Sequence, residues 1–421
     1  MEKLIIEGRR QLKGEVCISG SKNACLPIMA ATLLTEEACV VRNAPDLRDT
    51  TTMIKLLRSL GKKIEISNNK IIITSQGKLN YVADYELVST MRGSFCVLGP
   101  LLAKLNKAKV SLPGGCVIGI RPVDLHLKGL ASLGAKIRIE NGYVIATTKY
   151  RLKGERIYLG GVFGSSVLAT ANVMMAAVLS EGETIIESAA CEPEIEDLAK
   201  FLISMGAKIR GKGTPRLTIT GVKALHGATH TIIPDRIEAG TYMLMAAATK
   251  SNISIKNSNP SHLMALIDKL SQAGIKISLQ KNIIKISSPK KIKPVSITTY
   301  PYPGFPTDLQ AQFMALMSLA DGVSIITDKV YPDRFIHISE LNRMGANIRR
   351  EGINAIVEGV KRLHGAPVMA SDLRASAALV IAGLAAKGIT EIHRIYHLER
   401  GYEDLDKKLI QLGAKVWREK E

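Results

Sequence analysis

Apolar positions along this chain follow a pattern that recurs six times. Each repeat carries a run that is apolar almost all round, clearest at 167–179, 239–248, 310–320 and 375–386. A helix without a polar face is a buried one, so these runs predict interior helices. A Gly-led turn and a short alternating segment follow, as in Gly182-Glu183-Thr184-Ile185-Ile186-Glu187 and Gly322-Val323-Ser324-Ile325-Ile326. A period of two predicts a strand. An amphipathic run then closes on one phrase. It stands at Leu60-Gly61-Lys62-Lys63-Ile64, Leu133-Gly134-Ala135-Lys136-Ile137, Met205-Gly206-Ala207-Lys208-Ile209, Ala273-Gly274-Ile275-Lys276-Ile277, Met344-Gly345-Ala346-Asn347-Ile348 and Leu412-Gly413-Ala414-Lys415-Val416. The six glycines lie 68 to 73 residues apart. Each is placed to end a helix in left-handed backbone and release the chain into a strand.

The repeat therefore reads as buried helix, strand, amphipathic helix, Gly, strand, strand. The sixth copy stops at Glu421, before its last strand. Leu4-Ile5-Ile6-Glu7-Gly8-Arg9-Arg10-Gln11-Leu12-Lys13-Gly14 matches Ala355-Ile356-Val357-Glu358-Gly359-Val360-Lys361-Arg362-Leu363-His364-Gly365, the end of the fifth copy. The N-terminal strand is thus predicted to complete the sixth. Buried helices need partners, so several repeats must pack together, helices inside and sheets outside. A three-plus-three grouping places one lobe at 22–229 and the other at 1–21 with 230–421.

Composition narrows the class. The 421 residues are 46% apolar and 23% charged, with 4% aromatics. The longest apolar run, 376–386, is too short to span a bilayer, and the N-terminus lacks the apolar stretch of a signal peptide. Six cysteines (Cys17, Cys25, Cys39, Cys96, Cys116 and Cys191) show no CxxC pair and no metal-ligand spacing. They predict a reducing cytoplasm and no metal. Cys17, Cys25, Cys39 and Cys96 lie in apolar patterns and read as packing residues. The net charge of +19 suits nucleic acid, a membrane surface or an anionic substrate. The basic residues are spread out and few aromatics exist to stack bases, so most of this charge reads as solvated surface.

Chemistry gathers at the starts of the buried helices: Ser21-Lys22-Asn23, Thr90-Met91-Arg92, Ser165-Ser166, Asp235-Arg236-Ile237-Glu238, Thr307-Asp308-Leu309-Gln310 and Ser371-Asp372-Leu373-Arg374. Ser, Thr and Asp belong there on capping grounds alone, and Thr307 with Gln310 spells a capping box. Lys22, Arg92, Arg236 and Arg374 do not, because a cation opposes the helix dipole. An anion held by both would reconcile them, which predicts a cleft rich in anion-binding groups. A second concentration is the loop Pro113-Gly114-Gly115-Cys116-Val117-Ile118-Gly119-Ile120-Arg121-Pro122-Val123-Asp124-Leu125-His126. It holds a thiol near a guanidinium that can favour the thiolate or bind an anion. His126 reads as structural. Arg334 and Arg400 follow strands, in loops.

Taken together, the helix starts, the cysteine loop, Phe305-Pro306-Thr307-Asp308-Leu309-Gln310-Ala311-Gln312 and Arg400-Gly401-Tyr402 resemble the enolpyruvyl transferase family, in its UDP-N-acetylglucosamine 1-carboxyvinyltransferase branch, from end to end. The resemblance implies an α/β fold of two inside-out domains, each of three βαβαββ units. It implies transfer of the enolpyruvyl group of phosphoenolpyruvate to the 3-hydroxyl of UDP-N-acetylglucosamine, opening peptidoglycan precursor synthesis. No cofactor, metal, nucleic acid or membrane is implied, and a monomer is expected. Cys116 matches the proton donor and the target of fosfomycin. Lys22, Asn23, Arg121 and Arg400 match the phosphoenolpyruvate-binding groups, with Lys22 and Arg400 also taken as catalytic. Asp308 matches the general base. Arg92, Arg121, Pro122, Val123, Asp124, Leu125, Ser165, Ser166, Val167, Asp308 and Val330 match the UDP-sugar site, and Arg334, Asp372 and Arg374 its polar support.

One segment departs from the family's pattern. Where Ser-Val-Gly-Ala-Thr-Glu-Asn is usual, this chain has Ser166-Val167-Leu168-Ala169-Thr170-Ala171-Asn172, preceded by a longer Gly160-Gly161-Val162-Phe163-Gly164-Ser165. The alternatives are the related fold with another acceptor, enolpyruvyl-shikimate-phosphate synthase, a basic RNA-handling repeat protein, and an inactive paralogue, which the altered third unit permits.

Overall fold

The computed structural model describes residues 2–67, 69–114 and 123–420. They divide into two compact units, one of 20–114 and 123–233, the other of 2–19 and 234–420. Each unit closes around its own apolar core. Each also holds three four-stranded sheets in which one parallel pair is extended by antiparallel strands.

In the unit of 234–420 the three sheets share one plan. Lys13–Cys17 runs parallel to Asn252–Lys256, Ile297–Thr299 to Val323–Asp328, and Pro367–Met369 to Ile389–His393. Between the members of each parallel pair lies a helix: Arg236–Ala248, Gln310–Met317 or Leu373–Ala385. These three helices pack on one another. Apart from their first turns and last residues they are buried all round, while the strands alternate buried with exposed. Helices inside and sheets outside is the arrangement that all-apolar helices require. The N-terminal strand Glu2–Glu7 lies between Ile389–His393 and Lys415–Lys420, with Ile5 opposite both Glu391 and Trp417. It supplies the strand that the sixth repeat lacks.

The unit of 20–233 repeats the plan with Lys22–Ala31, Leu98–Leu105 and Val167–Ala177 as its buried helices. Here the borrowed strand is Thr229–Thr231, which pairs with Cys39–Arg42 and so brings the unit's end back to its start. All six phrase glycines adopt positive φ, from +87° at Gly413 to +101° at Gly206. Any other residue would be strained there.

Two local expectations fail. Cys17 is exposed, because the last residue of its strand points away from the core. The capping box at Thr307 does not form: the Thr307 hydroxyl donates to Asp328 Oδ2 at 2.8 Å, and Gln310 is buried with neither amide atom partnered among the described residues. A buried carboxylate outcompetes the helix end for the hydroxyl.

Candidate active site

In the unit of 234–420, four side chains anticipated from the sequence meet in one cluster. Asp308 sits in the short turn of helix Thr307–Leu309, just ahead of Gln310–Met317. Its Oδ1 accepts from Arg334 Nη1 at 2.8 Å and its Oδ2 from Arg374 Nη2 at 2.9 Å. Asp372 lies 3.9 Å from Arg334 Nη2 and caps helix Leu373–Ala385 by accepting from the backbone of Arg374 and Ala375. That cap holds the helix start rigid, and with it the Arg374 side chain. Arg374 Nη1 also donates to the Tyr402 hydroxyl at 3.2 Å, which meets Thr241 Oγ1 at 3.0 Å and accepts from Gln312 Nε2 at 3.2 Å.

The electrostatics follow from this geometry. Burial disfavours the Asp308 carboxylate, but the Arg374 and Arg334 guanidiniums outweigh it and hold the group well below the usual carboxylate range. Two cations and two carboxylates balance, so Arg374 at a helix start is explained by a neighbour within its own unit as well as by any anion. Asp308 remains 27% exposed while Arg334 and Arg374 are nearly inaccessible at 5% and 2%. The part of the cluster open to a ligand is therefore the carboxylate. Val330 is positioned by Asp328, whose Oδ1 accepts from its backbone at 3.0 Å and from Tyr331 at 2.8 Å. Arg400 ends the short helix Ile395–Arg400, two residues before Tyr402.

In the unit of 20–233, Lys22 opens helix Lys22–Ala31 and donates to Asp49 Oδ2 at 3.0 Å, both side chains being buried. Asn23 beside it is half-buried. Arg92 begins a short helix that packs on Lys22–Ala31. Val123, Asp124 and Leu125 form the start of helix Asp124–Ser132, which His126 anchors. Burial pushes His126 down to about 3, with Arg92 adding to the effect, so the ring is neutral. Its Nδ1 accepts from Asn172 Nδ2 at 2.9 Å. Asn172 also donates to the Phe95 carbonyl at 2.9 Å and accepts from the Gly99 amide at 2.7 Å. One amide thus ties three helical segments together. Ser165 lies in the hairpin strand Gly164–Ser165, Ser166 caps helix Val167–Ala177 through Ala169 N at 3.3 Å, and Val167 is that helix's first residue.

Cys116, Arg121 and Pro122 lie outside the described residues. The chain approaches them through Gly114, where a Cβ would come within 2.3 Å of the Ser89 carbonyl, so only glycine fits. Of the other cysteines, Cys25 and Cys96 are pushed up to about 12 by burial, and burial also raises Cys39 and Cys191. Sequence reasoning missed Asp49, Asp328 and Gln312, and gave Tyr402 no role. Asp49 sits in a polar run, Asp46-Leu47-Arg48-Asp49-Thr50, with nothing local to mark it. Asp328 ends the strand Val323–Asp328 on a buried position, and that was the one available signal.

A second charged cluster lies in the unit of 234–420 with its N-terminal segment 2–19. Glu238 accepts from Ser19 N at 2.9 Å and from Lys408 Nζ at 2.6 Å, and Lys408 also donates to Ser19 Oγ at 2.7 Å, a hydroxyl bonded to Glu403. Burial pushes Glu238 up to about 7 against the pull of Lys408.

The model of the EPSP synthase (3-phosphoshikimate 1-carboxyvinyltransferase) family matches residues 6–409, and the chain belongs to that family. Within it, the chain is 54% identical, over the full length of both, to a UDP-N-acetylglucosamine 1-carboxyvinyltransferase of Geotalea uraniireducens. It is 52% identical to one of Methylacidiphilum infernorum over 99% of each chain. The fold is also that of an enolpyruvyl transferase (NikO) of Streptomyces tendae, at a TM-score of 0.89, 24% identity and coverage of 99% and 98%. An EPSP synthase of Acinetobacter baumannii matches at a TM-score of 0.76 and 19% identity, over the whole of both chains.

Proposed function

We propose that this chain transfers the enolpyruvyl group of phosphoenolpyruvate to the 3-hydroxyl of UDP-N-acetylglucosamine and releases phosphate, the first committed step of peptidoglycan precursor synthesis. The carrying observation is full-length identity of 54% to a relative bearing that activity in its name. The setting is the cytoplasm and the working form a monomer. Among the described residues no helix is long and apolar enough to cross a membrane.

Cys116 gives its proton to the methylene of phosphoenolpyruvate, which builds cationic character on the neighbouring carbon. Lys22, Asn23, Arg121 and Arg400 bind the donor's phosphate and carboxylate. Arg92, Pro122, Val123, Asp124, Leu125, Ser165, Ser166, Val167 and Val330 frame the nucleotide-sugar. Asp308 stabilises the cationic carbon and accepts the hydroxyl proton as the sugar oxygen adds; departure of phosphate from that carbon and loss of one proton from the new methyl group then restore the double bond. A carboxylate held this acidic by two arginines is a weak base toward an ordinary alcohol. It becomes adequate once the hydroxyl oxygen has begun to bond to that carbon and its proton has turned acidic.

The test is phosphate release from phosphoenolpyruvate by the purified chain. Release with UDP-N-acetylglucosamine, none with shikimate 3-phosphate, and inactivation by fosfomycin that Cys116→Ser escapes are the expected results. The opposite acceptor preference would move the chain to the other branch, and steeply salt-dependent RNA binding without phosphate release would sink the transferase reading.

A further inference from the structure

Asp308 is held at both ends. Arg374 Nη2 donates to its carboxylate at 2.9 Å, and Gln312 Nε2, one turn along the helix, donates to its backbone carbonyl at 2.8 Å. The two holders share one neighbour. The Tyr402 hydroxyl accepts from Arg374 Nη1 at 3.2 Å and from Gln312 Nε2 at 3.2 Å. Its third contact is Thr241 Oγ1 at 3.0 Å, which gives its own proton to the Ile237 carbonyl at 2.8 Å. Tyr402 is therefore the donor between them. A hydroxyl offers one proton and two lone pairs, and all three are used. Burial raises the pKa of Tyr402, so the proton this arrangement needs stays on the oxygen.

The ring is fixed as firmly as its hydroxyl. The Arg374 guanidinium stands 5.5 Å from the ring centroid, within cation–π reach. A Cβ on Gly401 would come within 2.6 Å of Leu373 Cδ1, so the segment before Tyr402 lies flat on the first residue of helix Leu373–Ala385. Tyr402 itself is only 3% exposed. Its effect on a reaction must run through the residues it touches. A group that meets a developing charge needs its place fixed to a fraction of an ångström, and Tyr402 joins the two contacts that fix Asp308.

We propose that Tyr402 is a positioning residue, whose hydroxyl sets the place of Asp308 through Arg374 at the carboxylate and through Gln312 at the backbone. This deepens the enolpyruvyl-transfer reading and rests on it.

Steady-state phosphate release and calorimetric binding of UDP-N-acetylglucosamine test the assignment in the full chain, with thermal melting to report folding. Tyr402→Phe removes the oxygen and keeps the ring. Its kcat should fall about 10- to 100-fold, with Kd and KM for the nucleotide-sugar within about twofold of wild type. Thr241→Val should lower kcat less, and Thr241→Ser, which keeps the hydroxyl, should restore it. In an Arg374→Lys background Tyr402→Phe should cost less than it does alone, since both act along one path. Normal kcat in folded Tyr402→Phe would overturn the assignment, as would a loss confined to Kd and KM. The same fold-loss with and without Arg374→Lys would also overturn it, because the hydroxyl would then act independently of the guanidinium. Should Tyr402→Phe not fold, Thr241→Val decides, and a kcat equal to that of Thr241→Ser would sink the idea. Wild type that releases no phosphate with UDP-N-acetylglucosamine fails the underlying function and this assignment together, whereas an active wild type with unaffected variants fails this assignment alone.

Discussion

The two units bury polar groups in opposite ways. In the unit of 234–420, Asp308 faces two guanidiniums within 2.9 Å and keeps part of its carboxylate open. In the unit of 20–233, Asn172 and His126 form a neutral latch in which Asn172 Oδ1, Asn172 Nδ2 and His126 Nδ1 each have a protein partner and nothing is ionised. Charges under tension cost stability and are suited to meeting charge that develops in a reaction. Neutral amides joining three segments fix geometry and leave little for a substrate to use. On the proposed function, chemistry falls to the first cluster and architecture to the second.

That division is most sharply tested at Asp308. Asp308→Asn should lower kcat by about 10²- to 10⁴-fold while changing nucleotide-sugar affinity far less. A loss confined to affinity, with normal turnover, would remove Asp308 from the chemistry. Asn172→Ala should do the reverse. It leaves the Gly99 amide, the Phe95 carbonyl and His126 Nδ1 without their partner, a cost of about 3 kcal/mol in denaturant unfolding, with turnover of the folded fraction little changed. A large fall in kcat without destabilisation would break the architectural reading.

The smallest effect is a pair of opposed pH dependences. His126 is held near 3 in the fold, below its usual 6.5, so the unfolded chain binds the extra proton. Its contribution is present above pH 6.5 and is lost as pH falls from there toward 3. Glu238 is raised from 4.5 to about 7, so the folded chain binds the extra proton. Its contribution is present below pH 4.5 and is lost as pH rises through 7. Comparing wild type with His126→Phe and with Glu238→Gln across pH should give differences of opposite slope, of about 3 °C in Tm. Parallel slopes would show that neither burial governs the titration.

Much of this architecture was legible from periodicity because burial is written locally. All-apolar helices, alternating strands and the six glycines carry their meaning within a dozen residues, and even the borrowed N-terminal strand was visible as a missing copy. Partners brought together by the fold were not. Lys22 looked anomalous at a helix start because Asp49 lies 27 residues on. Thr307 looked like a cap because Asp328, 21 residues away, gave no local sign of competing for its hydroxyl. Site chemistry was named residue by residue from resemblance, but the opposing arginines that set the acidity of Asp308 belong to tertiary structure.

The strand Glu2–Glu7 has a consequence for how the molecule is made. Its neighbours on both sides come from the far end of the chain, one of them Lys415–Lys420, where Lys415 pairs with Glu7. At about 5–20 residues per second, roughly 20 to 80 s pass between synthesis of this strand and synthesis of both its neighbours. The stretch 20–233 needs nothing made after it. Synthesis therefore delivers the stretch 20–233 before the sheet around Glu2–Glu7 can close.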